Sequence, residues 1–131
     1  MSNKSKGIGA ERELIHKFWA VEGWTACRVA GSGSMRYPSP DIIAGNAVRK
    51  LAIECKCCGD STQYLDEGDV SQITEYAQRF NAEPWIAVRF ARTEWGFLRP
   101  CDLQKTQKKY SVNQKLLQEK GLNFELLLKI F

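Results

Sequence analysis

Between residues 7 and 22 the apolar positions Ile8, Leu14, Ile15, Phe18 and Trp19 recur at three- and four-residue steps, which predicts an amphipathic helix closed by Gly23. Residues 24–29 are rich in types that suit a half-buried pleated surface and read as a strand. A loop follows, dense in small residues and prolines from Ala30-Gly31-Ser32-Gly33-Ser34 to Tyr37-Pro38-Ser39-Pro40. Residues 41–44 and 51–56 form a hairpin of two apolar runs around Gly45-Asn46. Asp66, Glu67 and Asp69 stand just before Val70, Ile73, Ala77 and Phe80, so a second helix starts with negative charge at the positive end of its dipole. Residues 85–90 and 95–98 supply two further strands. The Lys- and Gln-rich stretch 100–110 reads as a linker. Beyond it Leu116, Leu117 and residues 124–128 form short helices, with Gly121 as a stop and Asn123 as a cap. The pattern is that of one α/β unit spanning 1–131, with a core over 1–99 and a C-terminal appendage over 100–131.

Composition narrows the class. At 131 residues, 44% hydrophobic and 26% charged, the chain can bury a real core without disulfides or a structural metal. No apolar stretch approaches the roughly eighteen residues of a membrane span, and the polar start lacks the apolar region of a secretion signal, so no membrane association and a cytoplasmic location are expected. The five cysteines, three of them crowded at Cys55, Cys57 and Cys58, suit reduced thiols better than a disulfide framework. A zinc site on that cluster lacks the usual paired spacing, and the only histidine is His16. The net charge of +4 hides a segregation. Residues 1–56 carry nine basic and five acidic groups, residues 57–83 one and six, and residues 84–131 nine and four. The two flanking segments are therefore basic, as suits a protein that neutralises phosphates, although solvated faces alone would give the same tally.

Three carboxylates break the apolar pattern. Glu11 lies three residues after Ile8 and three before Leu14, on the apolar face of the first helix. Glu54 follows the apolar run Leu51-Ala52-Ile53, and alternation puts it on the same face of its strand as Lys56, about 7 Å away. Asp41 opens the neighbouring strand, beside Glu54 if the hairpin forms. Any one such pair reads as a salt bridge, but together the three suit an oxygen-ligand site for Mg²⁺.

Pro40-Asp41, twelve intervening residues and Glu54-Cys55-Lys56 resemble the PD-(D/E)xK signature of metal-dependent nucleases. Four further segments sharpen the likeness: Lys6-Gly7 with Gly9-Ala10-Glu11-Arg12-Glu13-Leu14, the stretch Arg28 to Ser34, Pro40 to Gly45, and Ile53 to Lys56. Over about its first hundred residues the chain is similar to the archaeal Holliday junction resolvases. The resemblance implies a restriction-endonuclease-like fold, a central mixed five-stranded sheet flanked by helices. It also implies a structure-selective endonuclease of DNA recombination and repair, which hydrolyses phosphodiesters of four-way junctions in symmetric paired cuts.

On that resemblance, Asp41, Glu54 and the backbone carbonyl of Cys55 hold Mg²⁺, with Mn²⁺ a plausible substitute, and Glu11 binds a second ion or orients a water. Lys56 steers or deprotonates the attacking water or stabilises the transition state. Ser32 matches a catalytic serine on the loop. Arg12 and Arg28 match basic family positions, and Lys4, Lys6, Arg36 and Arg49 are further candidates for contact with the DNA backbone. Two like strands cut symmetrically by one small active site imply a two-fold homodimer. Trp85, Phe90, Trp95 and Phe97 are candidates for its apolar patch, with core packing as the alternative. Two competing readings remain: another PD-(D/E)xK endonuclease acting on duplex or flap DNA, and a non-catalytic basic DNA-binding module.

Overall fold

A computed structural model describes residues 3–31, 36–57, 59 and 61–130, with side chains from Gly7 onward. Helix α1 (Asn3–Trp19) leads into β1 (Thr25–Arg28), β2 (Ile42–Gly45) and β3 (Lys50–Cys57), followed by β4 (Thr62–Asp66) and α2 (Glu67–Phe80). Strands β5 (Glu83–Arg89) and β6 (Gly96–Leu98) and a 3₁₀ turn (Pro100–Asp102) come next. The chain then runs through β7 (Gln104–Lys105), β8 (Lys109–Asn113), α3 (Gln114–Lys120) and α4 (Phe124–Lys129).

The main sheet has the order β1-β2-β3-β5-β6, and β3 and β5 are parallel while every other pair is antiparallel. It is the mixed five-stranded sheet expected from the sequence. The β2–β3 turn explains its own sequence. Asn46 Oδ1 accepts hydrogen bonds from the N–H groups of Val48 and Arg49, and a Cβ at Gly45 would sit 2.7 Å from the Arg49 carbonyl oxygen. Only glycine tolerates that approach.

Alternation along β3 and β5 splits the core in two. Leu51, Ile53, Trp85 and Ala87 face α1, where Leu14 and Phe18 are completely buried. Ala52, Ile86 and Val88 face α2, whose Val70, Ile73 and Ala77 are buried. Helix α2 starts where the acidic residues predicted: Asp66 and Asp69 form a reciprocal capping box, each accepting from the other's N–H.

Several expectations change. Helix α1 begins four residues earlier than the periodicity predicted and ends at Trp19, because the N–H groups of Val21 and Trp24 bond three residues back and turn the chain before Gly23. The supposed linker contains β7 and the start of β8, which join β4 in a second, three-stranded sheet. These strands are short and polar, so no periodic signal marks them. Their stability comes from pairing distant segments and from burying Leu65, Leu103 and Val112 against α2 and β5. Trp85, Phe90, Trp95 and Phe97 are all at most 3% exposed, which makes them core rather than interface. Gly121 does stop α3, but with φ −78°, and its small size matters because a Cβ would lie 2.4 Å from the Leu117 carbonyl oxygen. Asn123 caps α4 as predicted. No helix among the described residues is long and apolar enough to cross a membrane.

Candidate active site

Asp41 occupies the point where β1, β2 and β3 meet. Its N–H donates to the Ile53 carbonyl at 2.9 Å, and its own carbonyl accepts from the Val29 N–H at 2.8 Å. Its Oδ2 accepts from the Cys55 N–H at 2.8 Å, so the side chain points across the start of the hairpin onto β3. Glu11 comes from α1, next to the buried Ala10 and one turn before Leu14, and its side chain is 16% exposed. A carboxylate oxygen of Glu11, one of Asp41 and the Cys55 sulfur lie within 4.8 Å of one another. Glu54, one step along β3, turns to the face toward α2 and hydrogen-bonds Asp41. Asp41 is thus the link between Glu11 on one side of the sheet and Glu54 on the other.

Burial and crowded negative charge show together in the proton affinities. Burial, followed by repulsion from Asp41, pushes the Glu54 carboxyl up to about 8. Burial and then Asp41 also raise Glu11, against an opposing pull from Arg28, whose Nε lies 3.8 Å from Glu11 Oε1. The Cys55 thiol is raised well above its ordinary value by burial and by the surrounding carboxylates. It is a neutral thiol and a poor partner for a hard cation, so oxygen atoms supply the ligands that fit here.

The Glu54 shift has a direct consequence for stability. A carboxyl with a higher value in the folded state than in the unfolded state weakens the fold as pH rises, here between 4.5 and about 8. In a chelator, Glu54→Gln is therefore expected to stabilise the protein at pH 8 by at least about 1 kcal/mol, with little effect at pH 4. Urea denaturation at the two values measures this, and a less stable variant at pH 8 would contradict the charge crowding.

Lys56 lies on the Glu54 face, and its Nζ is 3.5 Å from Asp69 Oδ2. Asp69 thus holds the lysine as well as capping α2, a double role that its position near a helix start does not reveal in sequence. The remaining candidates divide. Arg28 joins the site through Glu11, Arg12 is exposed on α1, and Arg36 is exposed with its guanidinium over the Tyr37 ring. Arg49 is corrected: it is only 7% exposed and is locked in a bidentate pair with Glu83, so it does not face DNA. The side chains of Lys4 and Lys6, and Ser32 altogether, lie outside the described residues. Cys57 is disulfide-bonded, while Cys27, Cys55 and Cys101 are free. The expectation of reduced thiols fails at Cys57, which is therefore no thiolate ligand for zinc.

Known proteins carry the same architecture. A solved structure of Archaeoglobus fulgidus Hjc, described as a Holliday junction resolvase from an archaeal hyperthermophile, superposes with a TM-score of 0.85 at 34% identity, covering 92% of this chain and 98% of that one. In sequence, the crossover junction endodeoxyribonuclease Hjc of A. fulgidus is 38% identical over 113 residues, 86% of this chain and 82% of the relative. The crossover junction endodeoxyribonuclease Hje of Saccharolobus islandicus is 36% identical over 101 residues, 75% of this chain and 74% of the relative. The family model described as archaeal Holliday junction resolvase (Hjc) matches residues 2–131. A mixed sheet that brings Glu11, Asp41, Glu54 and Lys56 together, matched along nearly its whole length by that model, places this chain in the archaeal Holliday junction resolvase family.

Proposed function

We propose that the chain is a magnesium-dependent endonuclease that resolves four-way DNA junctions by paired, symmetric hydrolysis in recombination and repair, acting in the cytoplasm as a homodimer with one active site in each copy. The observation that carries this reading is the set of carboxylates joined through Asp41, whose burial and then mutual repulsion raise the proton affinity of Glu54 and Glu11. A divalent cation would relieve that repulsion, and Asp41, Glu54 and the Cys55 carbonyl would supply the oxygen donors to hold it, with Glu11 for a second ion or a water. Mg²⁺, or Mn²⁺ in its place, would supply positive charge to the scissile phosphate and lower the pKa of a nearby water.

The chain's own groups do the rest. Lys56, kept in place by Asp69, adds a positive charge where negative charge builds on the phosphate during attack. Ser32 is assigned a catalytic role from the family resemblance. Arg12, Arg28 and Arg36, with Lys4 and Lys6, neutralise flanking phosphates, which positions the DNA without reading its sequence. Residues 1–131 act as one nuclease domain, with 100–131 as its C-terminal part.

Cleavage of a four-way junction, a flap and a linear duplex of matched sequence, each with Mg²⁺, tests the substrate. Faster cleavage of the junction is expected, and preference for linear duplex would point to the broader nuclease reading. Sedimentation of the protein alone and on junction DNA tests the assembly. A dimer is expected in both cases, and a persistent monomer would contradict paired cutting.

A further inference from the structure

The second sheet ends in a lysine-rich turn between β7 and β8 that the active site does not use. Burial alternates along the sheet: Leu65 and Val112 face the core, while Tyr64 and Lys109 on the other face are exposed. In the ladder Tyr64 pairs with Ser111 and Asp66 with Lys109, so these four share the outer face. The Lys109 ammonium sits 5.9 Å from the centre of the Tyr64 ring, an aromatic left 61% exposed. The β7–β8 turn is fixed by the Thr106 N–H and hydroxyl, which both donate to the Lys109 carbonyl. That turn holds Lys105, Lys108 and Lys109 together at its tip, and residues 103–118 contain no acidic group.

This face also adjoins the active site. Asp69 contacts Lys56 and shares its capping box with Asp66, the last residue of β4. Tyr64 is two residues before Asp66 on the same face, about 7 Å further along the strand. Lys109 pairs directly with Asp66 in the ladder, so the lysine turn lies at the end of β4 that adjoins Asp69 and Lys56.

We propose that the β7–β8 turn and the adjoining outer face of β4–β8 form a binding surface for the phosphate backbone of a junction arm beside the cleavage point, with Lys108 and Lys109 as its main contacts and Tyr64 orienting Lys109. The occupant follows from charge complementarity and from continuity with the active site. The inference rests on the four-way junction as substrate. It assigns DNA contact to a part of the chain that sequence patterning marks as a linker.

The test compares two variants with the same charge loss: Lys108→Ala/Lys109→Ala on this face, and Lys120→Ala/Lys129→Ala on α3 and α4. Binding of a long-armed four-way junction is measured over a range of salt concentrations, with thermal midpoints as the check on folding. Losing two phosphate contacts should weaken binding roughly tenfold at moderate salt and lower the slope of log affinity against log salt by about 2. The Lys120/Lys129 variant should change the slope by much less. Equal effects of the two variants, or no change of slope in either, would overturn the assignment while wild-type protein still binds the junction. Failure of the wild type to bind it would instead count against the junction as substrate.

Discussion

Replacing Arg49 with alanine is expected to cost about 3–5 kcal/mol of stability, the range found when one partner of a buried ion pair is removed. In a domain of this size that lowers the melting temperature by roughly 10–20 °C. All three nitrogens of the Arg49 guanidinium are engaged: Nε and Nη2 each donate to Glu83 at 2.8 Å, Nη1 donates to the Leu127 carbonyl at 2.8 Å, and Cζ lies 5.6 Å from the centre of the Trp24 ring. One side chain therefore ties the β2–β3 hairpin to β5 and to α4. Alanine leaves Glu83 half-buried without its fork and the Leu127 carbonyl without a donor. Lysine does not rescue the site, because an ammonium cannot match the planar bidentate geometry.

The pair also predicts a pH dependence. Burial pushes the Glu83 carboxyl up, but hydrogen bonds from Arg49 and Trp85 outweigh it and hold the group below its ordinary 4.5. A depressed carboxyl stabilises the fold above its unfolded value and loses that contribution as pH falls through the folded one. The deficit of Arg49→Ala should be full at neutral pH and shrink below about pH 4.5. Denaturation of wild type and variant at pH 7 and pH 3.5 measures it, and a deficit that does not depend on pH would show that lost packing, not charge pairing, dominates.

How much of this was legible in the sequence depends on how local the cause is. The α2 start could be read because Asp66 and Asp69 act on N–H groups within three residues. The hairpin could be read because Gly45-Asn46 makes its own turn. Glu11, Asp41, Glu54 and Lys56 stood out because charged residues interrupt apolar runs at the periods of a helix and of a strand. Arg49 was misread for the opposite reason: its partners Glu83 and Leu127 are 34 and 78 residues away, and an arginine in a turn looks like surface until they arrive. Strands β4, β7 and β8 escaped for the same reason, since short segments rich in Gln, Lys, Ser and Asn show no apolar alternation and depend on Val112 and Leu65 finding a core to enter. Asp69 was visible as a helix-start acid, but its hold on Lys56 depends on the way α2 packs against β3.

The largest expected effect on function belongs to the carboxylates. Asp41→Asn keeps the size of the side chain and an oxygen for the Cys55 N–H, yet removes the negative charge that joins Glu11 to Glu54. Glu54→Gln removes a charge already partly neutralised by a proton and leaves an amide able to donate to Asp41. Neither substitution opens a cavity, so both proteins should fold. Each should lose junction cleavage by about 10³-fold, the scale associated with losing one group that stabilises a charged transition state. The basic surfaces that bind DNA remain, and with less negative charge facing the phosphates, affinity should hold or rise.

The most direct test is therefore to measure binding and cleavage together on one four-way junction, with wild type and Asp41→Asn. Binding is followed in Ca²⁺ or chelator and cleavage is started with Mg²⁺. Equal or tighter binding by the variant is expected, with cleavage reduced by about 10³-fold. Cleavage by Asp41→Asn at the wild-type rate would contradict it and leave the carboxylates as structural groups of a protein that only binds DNA.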